Sequence, residues 1–237
     1  MSVFFYAASA PLVFGLAGAA YLLIVRMRRG SRQPFILYWA FGLAFLGWPQ
    51  LPVVLEYAHV RFTLTDFNPF FAVTVPLAFL GLLLIYLGIE AASEPKGSHR
   101  LHYVIPLWFA ASWIVFVAFF RDSRTLSAHT LPLSAALLFF TPAYVLILRA
   151  AWRWYGARTK RNTRMSSGLL LVMSAMLVGL VQALFTLREL FWYPPAFWFV
   201  AISSPGLLML GDVSVFALAL GVSLLAYPPL ETVERSA

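Results

Sequence analysis

The sequence predicts an all-α fold, a seven-transmembrane helix bundle. Its N-terminus is outside, its C-terminus cytoplasmic, and an interfacial or re-entrant segment precedes the last helix. Three observations predict it. Hydrophobic residues make up 62% of the chain and charged residues 11%, whereas about a quarter of residues are charged in soluble domains. Seven apolar segments each reach the roughly 20 residues that cross a bilayer. They cover about 3–25, 35–56, 68–90, 102–121, 131–151, 165–188 and 204–227. The basic residues, finally, collect on alternate connections.

That last pattern sets the orientation. Arg26, Arg28, Arg29 and Arg32 follow the first span, Lys96 and Arg100 the third, and Arg149, Arg153, Arg158, Lys160, Arg161 and Arg164 the fifth. Arg235 lies in the tail. The other side holds Arg61, Arg121, Arg124 and Arg188. Cytoplasmic loops carry the excess of Lys and Arg, so the first set faces the cytoplasm of a plasma (inner) membrane protein. The net charge of +8 then reflects topology and attraction to anionic headgroups rather than nucleic acid. The chain reads as a single domain, 1–237, with no soluble module. Its first segment lacks a basic n-region and reads as a retained span, not a cleaved signal peptide. No cysteine is present, which excludes disulfides, thiolate catalysis and cysteine-held metal clusters.

The elements follow in order. Span one is rich in small residues, and Gly15 and Ala19 are four apart, a face suited to close helix contact. Span two holds Trp48-Pro49-Gln50, Pro52 and Glu56; its prolines predict a kink in the outer half. Trp48, Pro52 and Glu56 share one helical face. Glu56 either marks the outer interface or faces inward to a polar pocket. Span three starts near Asp66 or Asn68 as N-cap, carries Thr74 and Pro76 in its outer half, and closes on Glu90, read as solvated. Span four places Trp108 near a boundary, in an aromatic belt, and Trp113 deeper. Span five has Thr141-Pro142 near its middle and runs into residues 149–164, RAAWRWYGARTKRNTR. Arginines there would meet lipid phosphates, with Trp152 and Trp154 at the headgroups; the segment also suits docking of a protein partner.

Span six ends with Gln182, Thr186 and Glu189 on one face. The aromatic stretch 191–206 is bracketed by Pro194-Pro195 and Ser204-Pro205-Gly206, and reads as the interfacial or re-entrant segment. The last span, SPGLLMLGDVSVFALALGVSLLAY, carries one carboxylate, Asp212. An ionisable group inside a span marks a functional site by default. Three roles are open to it: a hydrogen-bonded structural group, an ion pair with a residue such as Arg188, or contact with a ligand, ion or proton.

Polar groups gather in the outer half of the bundle. Asp212, Gln182, Trp48, Gln50, Glu56, Thr74, Trp113 and Thr186 therefore form the candidate ligand-binding set, apolar walls with few polar groups. No catalytic or metal-ligating constellation is seen: His59, His99, His102 and His129 fall in loops or at span ends.

Asp212-Val213-Ser214 in a seventh span resembles the last helix of microbial rhodopsins. That family has its retinal-binding lysine four residues after the Asp, where this chain has Phe216. Lys96 and Lys160, its only lysines, lie in loops, so no retinal Schiff base is available and no cofactor is assigned. The outline is also similar to seven-helix sensory input modules of bacterial receptors, in architecture alone. The first expectation is a non-enzymatic ligand-binding or sensory protein that signals through a separate partner, in the membrane or at 149–164. A non-catalytic subunit of a larger membrane complex is the alternative, and a small-solute or proton transporter the third.

Overall fold

The computed structural model describes residues 3–29, 33–48, 51, 54, 64–93, 99–121, 130–158, 163–192 and 205–226. Among them the fold is all-helical, with seven helices and no strand. These are α1 (Val3–Arg29), α2 (Pro34–Leu46), α3 (Leu64–Ser93), α4 (His99–Arg121), α5 (Thr130–Arg158), α6 (Thr163–Trp192) and α7 (Pro205–Leu225). Three described stretches are long and apolar enough to cross a membrane: Ser9–Arg28, Val73–Ser93 and Thr163–Arg188. Pro34–Leu46, Val104–Val115 and Met209–Leu225 are shorter apolar helices.

Neighbouring helices form a closed circuit. α1 packs on α2 and α7, α2 on α3, α3 on α5, α5 on α6, and α6 on α7. α4 lies outside this circuit, against α3 and more lightly against α5. Cross-helix contacts give the register. Gly15 meets Leu43, Gly42 meets Gly81, and Gly168 meets Gly221, so these pairs run antiparallel. Gly18 meets Ala219 and Phe14 meets Phe216, so α1 and α7 run parallel. One end of the bundle thus gathers the end of α1, the starts of α2 and α6, and the ends of α3, α5 and α7. It is the end that carries most of the arginines.

The core explains why these helices stay together. Leu22, Trp39, Leu43, Phe79, Ile85, Ile147, Leu169 and Val222 are fully buried. Phe79 of α3 is ringed by Trp108 of α4 at 5.4 Å and by Phe139 and Phe140 of α5 at 5.7 and 5.8 Å between centroids. Edge-on and tilted aromatic pairs of this kind add stabilisation beyond the area they bury. Trp108 is therefore a packing group that joins α4 to α3.

Several local expectations change. Span two does not run as one helix to residue 56. α2 ends at Leu46, with Gly47 as its C-cap, at about 20 Å of rise. Pro49 and Pro52 explain the early stop, because neither can donate to the carbonyl a turn before it. α3 begins at Leu64, so Asp66 and Asn68 lie inside it instead of capping it. α5 continues through Pro142 and on to Arg158, so the first ten residues of the basic stretch are helix. Trp154 faces the core at 6% exposure, away from headgroups. Glu90 is not solvated: its carboxylate accepts from Nη2 of Arg153 and from the Tyr86 hydroxyl. That cluster ties α3 to α5 at the basic end. The interfacial or re-entrant stretch falls mostly at 193–204, outside the described residues.

Candidate functional site

The strongest polar seam runs between α6 and α7. At the basic end the two backbones touch: a Cβ built on Gly221 would sit 2.9 Å from the carbonyl oxygen of Gly168, and one on Gly168 3.0 Å from that of Gly221. Only glycine permits this approach, and small residues are the usual device for helix contact in membranes. Two turns further along α7, the buried Ser214 donates from Oγ to the carbonyl oxygen of Ala175 at 2.9 Å. Beyond that, the side chain of Gln182 lies over Gly211, where an added Cβ would be 3.1 Å from Nε2. The next residue is Asp212.

Asp212 is half-buried, and its Oδ1 is buried with no hydrogen-bond partner among the described residues. A carboxylate oxygen left so is costly in an apolar surround. The seam therefore grades from a dry backbone contact, through one satisfied hydroxyl, to an amide packed on glycine. Asp212, the next residue, shares the α1-facing side of α7 with Phe216 and Ala219. Thr186 sits one turn beyond Gln182 on the same face, and its Oγ1 donates back to the Gln182 carbonyl at 2.8 Å. This local bond is common for hydroxyls in helices.

The other sequence-predicted residues lie on different helices. Thr74 of α3 is 3% exposed, and its Oγ1 also lacks a partner among the described residues. It therefore makes no back-bond to its own helix. Trp48 is half-buried just past α2, where Gly47 packs on Leu12 of α1. Trp113 is half-buried on α4 and meets Phe109 edge-on at 5.8 Å. Gln50 and Glu56 lie outside the described residues.

Register relates these positions. The contacts from α7 to α1, α1 to α2 and α2 to α3 set Trp48 and Thr74 near the level of Asp212. The Phe79–Trp108 contact sets Trp113 near the level of Thr74. Counted through α6 and α5 instead, the level on α3 falls about two turns nearer the basic end. The layer is thus inclined to the bundle axis. Within it, direct proximity joins Gln182 to Gly211, while Trp48, Thr74 and Trp113 stand on neighbouring helices.

Sequence reasoning missed two features here. One is Ser214, whose bond to α6 fixes the rotation of α7 and so the placement of Asp212. Its signal was the i, i+2 spacing beside an acid in a small-residue span. The other is Gly211, which makes room for Gln182.

Five described side chains carry a buried polar atom without a partner. Arg26 Nη1, Trp39 Nε1 and Trp154 Nε1, all donors, belong to the basic end. Thr74 Oγ1 and Asp212 Oδ1, which can accept, belong to the far half. No cluster of His, Asp or Glu able to hold a metal ion occurs among the described residues.

A helical bundle with three helices long and apolar enough to cross a bilayer defines this chain as a helical membrane protein. No family model, curated protein or solved structure matches it.

Proposed function

We propose that the chain is a seven-helix ligand-binding or sensory protein of the plasma (inner) membrane. In this reading its N-terminus is outside, and it binds a small, largely apolar molecule from that side without catalysing a reaction. It passes the signal to a separate protein partner. The observation that carries the reading is Asp212: a buried acceptor oxygen without a partner among the described residues, one residue from the glycine on which the Gln182 amide packs. A ligand with a hydroxyl, amide or ammonium donor would satisfy Asp212, and Gln182 would orient it. Trp48, Thr74 and Trp113 would supply walls on the adjoining helices, with Thr186 toward the mouth. Few polar groups among apolar walls is the usual composition of a small-ligand site.

The cysteine-free sequence offers a direct test. Single cysteines are introduced as Gln182→Cys and Leu177→Cys and probed in intact cells with a membrane-impermeant maleimide. Leu177 is 52% exposed on the bundle's outer surface, where lipid would cover it. An outward pocket predicts labelling at 182 and none at 177. No labelling at 182, or labelling only after the cytoplasmic side is opened, contradicts the reading. Co-purification at fixed stoichiometry with other membrane proteins, and no folded protein without them, would favour a complex subunit instead.

A further inference from the structure

At the opposite end of the molecule, α5 leaves the bundle with two unlike faces. Ala150, Ala151 and Trp154 are buried. Arg149, Trp152, Arg153 and Gly156 are exposed, at i, i+3, i+4 and i+7, and so form one stripe. The stripe continues an exposed apolar line below it, through Pro142 and Val145. Read along the helix, exposed groups pass from apolar to cationic, then aromatic, then cationic.

The side chains are held in place. Trp152 is 66% exposed, and its ring stacks on Tyr155 at 6.3 Å and 25°. Arg153 is fixed by its pair with Glu90, yet half of its side chain remains exposed. Arg149 stands one turn earlier, about 6 Å along the axis. The polar zone of one leaflet is about 5–7 Å thick, the difference between the full bilayer and its hydrocarbon core. Arg149 and Arg153 therefore leave the helix at levels about one such layer apart, with Trp152 between them in sequence. Tryptophan prefers that level, and guanidinium pairs phosphate oxygens through parallel N–H bonds.

We propose that this stripe of α5 binds the headgroup of an anionic phospholipid. Arg149 and the exposed part of Arg153 hold the phosphate and its added negative charge. Trp152 packs against the headgroup between them, and the acyl chains follow Val145 and Pro142 into the hydrocarbon. An exposed apolar line that leads into a cluster of two arginines and an indole fits a molecule with apolar chains joined to an anionic head, which is the reason for choosing a lipid over a soluble anion or a protein. The proposal rests neither on the ligand site at Asp212 nor on which side of the membrane this end faces.

The test uses the full chain in nanodiscs of phosphatidylcholine alone or mixed with phosphatidylglycerol. Lipid retained after mild extraction is counted by native mass spectrometry, and the melting midpoint is recorded in each disc. The expected result is preferential retention of phosphatidylglycerol and a higher midpoint in the mixed discs. Arg149→Gln should lower that preference about fivefold, the contribution of one arginine near an anionic surface, with an unchanged midpoint in phosphatidylcholine. Trp152→Ala should lower retention of both lipids. Equal retention of the two lipids by the unaltered chain would overturn the proposal. So would an unchanged preference in Arg149→Gln, or equal stabilisation by inorganic phosphate alone. A soluble or membrane protein that co-purifies only when Arg149 and Trp152 are intact would also overturn it, and assign the stripe to a protein partner.

Discussion

The helix pairs α2–α3 and α6–α7 solve the same packing problem and diverge in what they do next. Both are joined where glycines face each other. A Cβ on Gly81 would lie 2.7 Å from the Gly42 carbonyl oxygen, and the Gly168–Gly221 contact is nearly as close. Along α2–α3 the surroundings stay apolar: Ile36, Leu43, Leu82 and Ile85 are all buried. Along α6–α7 polarity rises with distance from the glycine contact, through Ser214 to Gln182 and Asp212. Close packing alone makes a seam, and the polar groups added at one end of α6–α7 turn that seam into a candidate site.

Substitution at matched glycines should separate the two seams by the widest margin. Gly81→Ala drives a methyl into a backbone carbonyl, so the helices must separate. Overpacking of this kind costs about 1–3 kcal/mol, read as a lower melting midpoint in detergent. Gly211→Ala meets only the end of a flexible side chain and should cost less than about 1 kcal/mol. Its effect belongs to the site, because Gln182 must give way. A larger stability loss at Gly211 than at Gly81 would reverse the roles assigned to the two seams.

Smaller effects bear on the same contrast. Ser214→Ala removes one interhelical hydrogen bond and should cost about 0.6 kcal/mol, the average for such bonds in membranes. The Ala175 carbonyl keeps its place in the α6 ladder. Glu90→Gln weakens the tie between α3 and α5. Because half of the Arg153 side chain meets solvent, the loss should be about 0.5 kcal/mol and should shrink further at high salt. A salt-independent loss would mean that hydrogen-bond geometry, not charge, holds that cluster.

The helical class was legible because seven apolar segments leave few alternatives, and α1, α6 and α7 follow their predicted spans closely. The prolines at 49 and 52 announced a break, though not that α2 would stop as early as Leu46. Helix rotation was the hidden quantity. In lipid the outer face is as apolar as the core, so periodicity does not say which way Trp108 or Trp154 turns. The Glu90–Arg153 pair spans 63 residues of sequence, and no local pattern reveals it. Asp212 stood out by its depth in an apolar span. The packing of Gln182 on the residue before it depended on Gly211 and Ser214, whose meaning appears only once the two helices are in register.

The two carboxylates have opposite roles in the function we propose: Asp212 in a ligand site, Glu90 in a structural pair. Native mass spectrometry of protein extracted from its own membrane in mild detergent tells them apart. The unaltered chain and Glu90→Gln should both carry an added mass of a few hundred daltons per monomer, and Asp212→Asn should lose it while keeping its fold. A bare monomer in all three, or an added mass that survives Asp212→Asn, would contradict the assignment and leave Asp212 as a structural group of the α6–α7 seam.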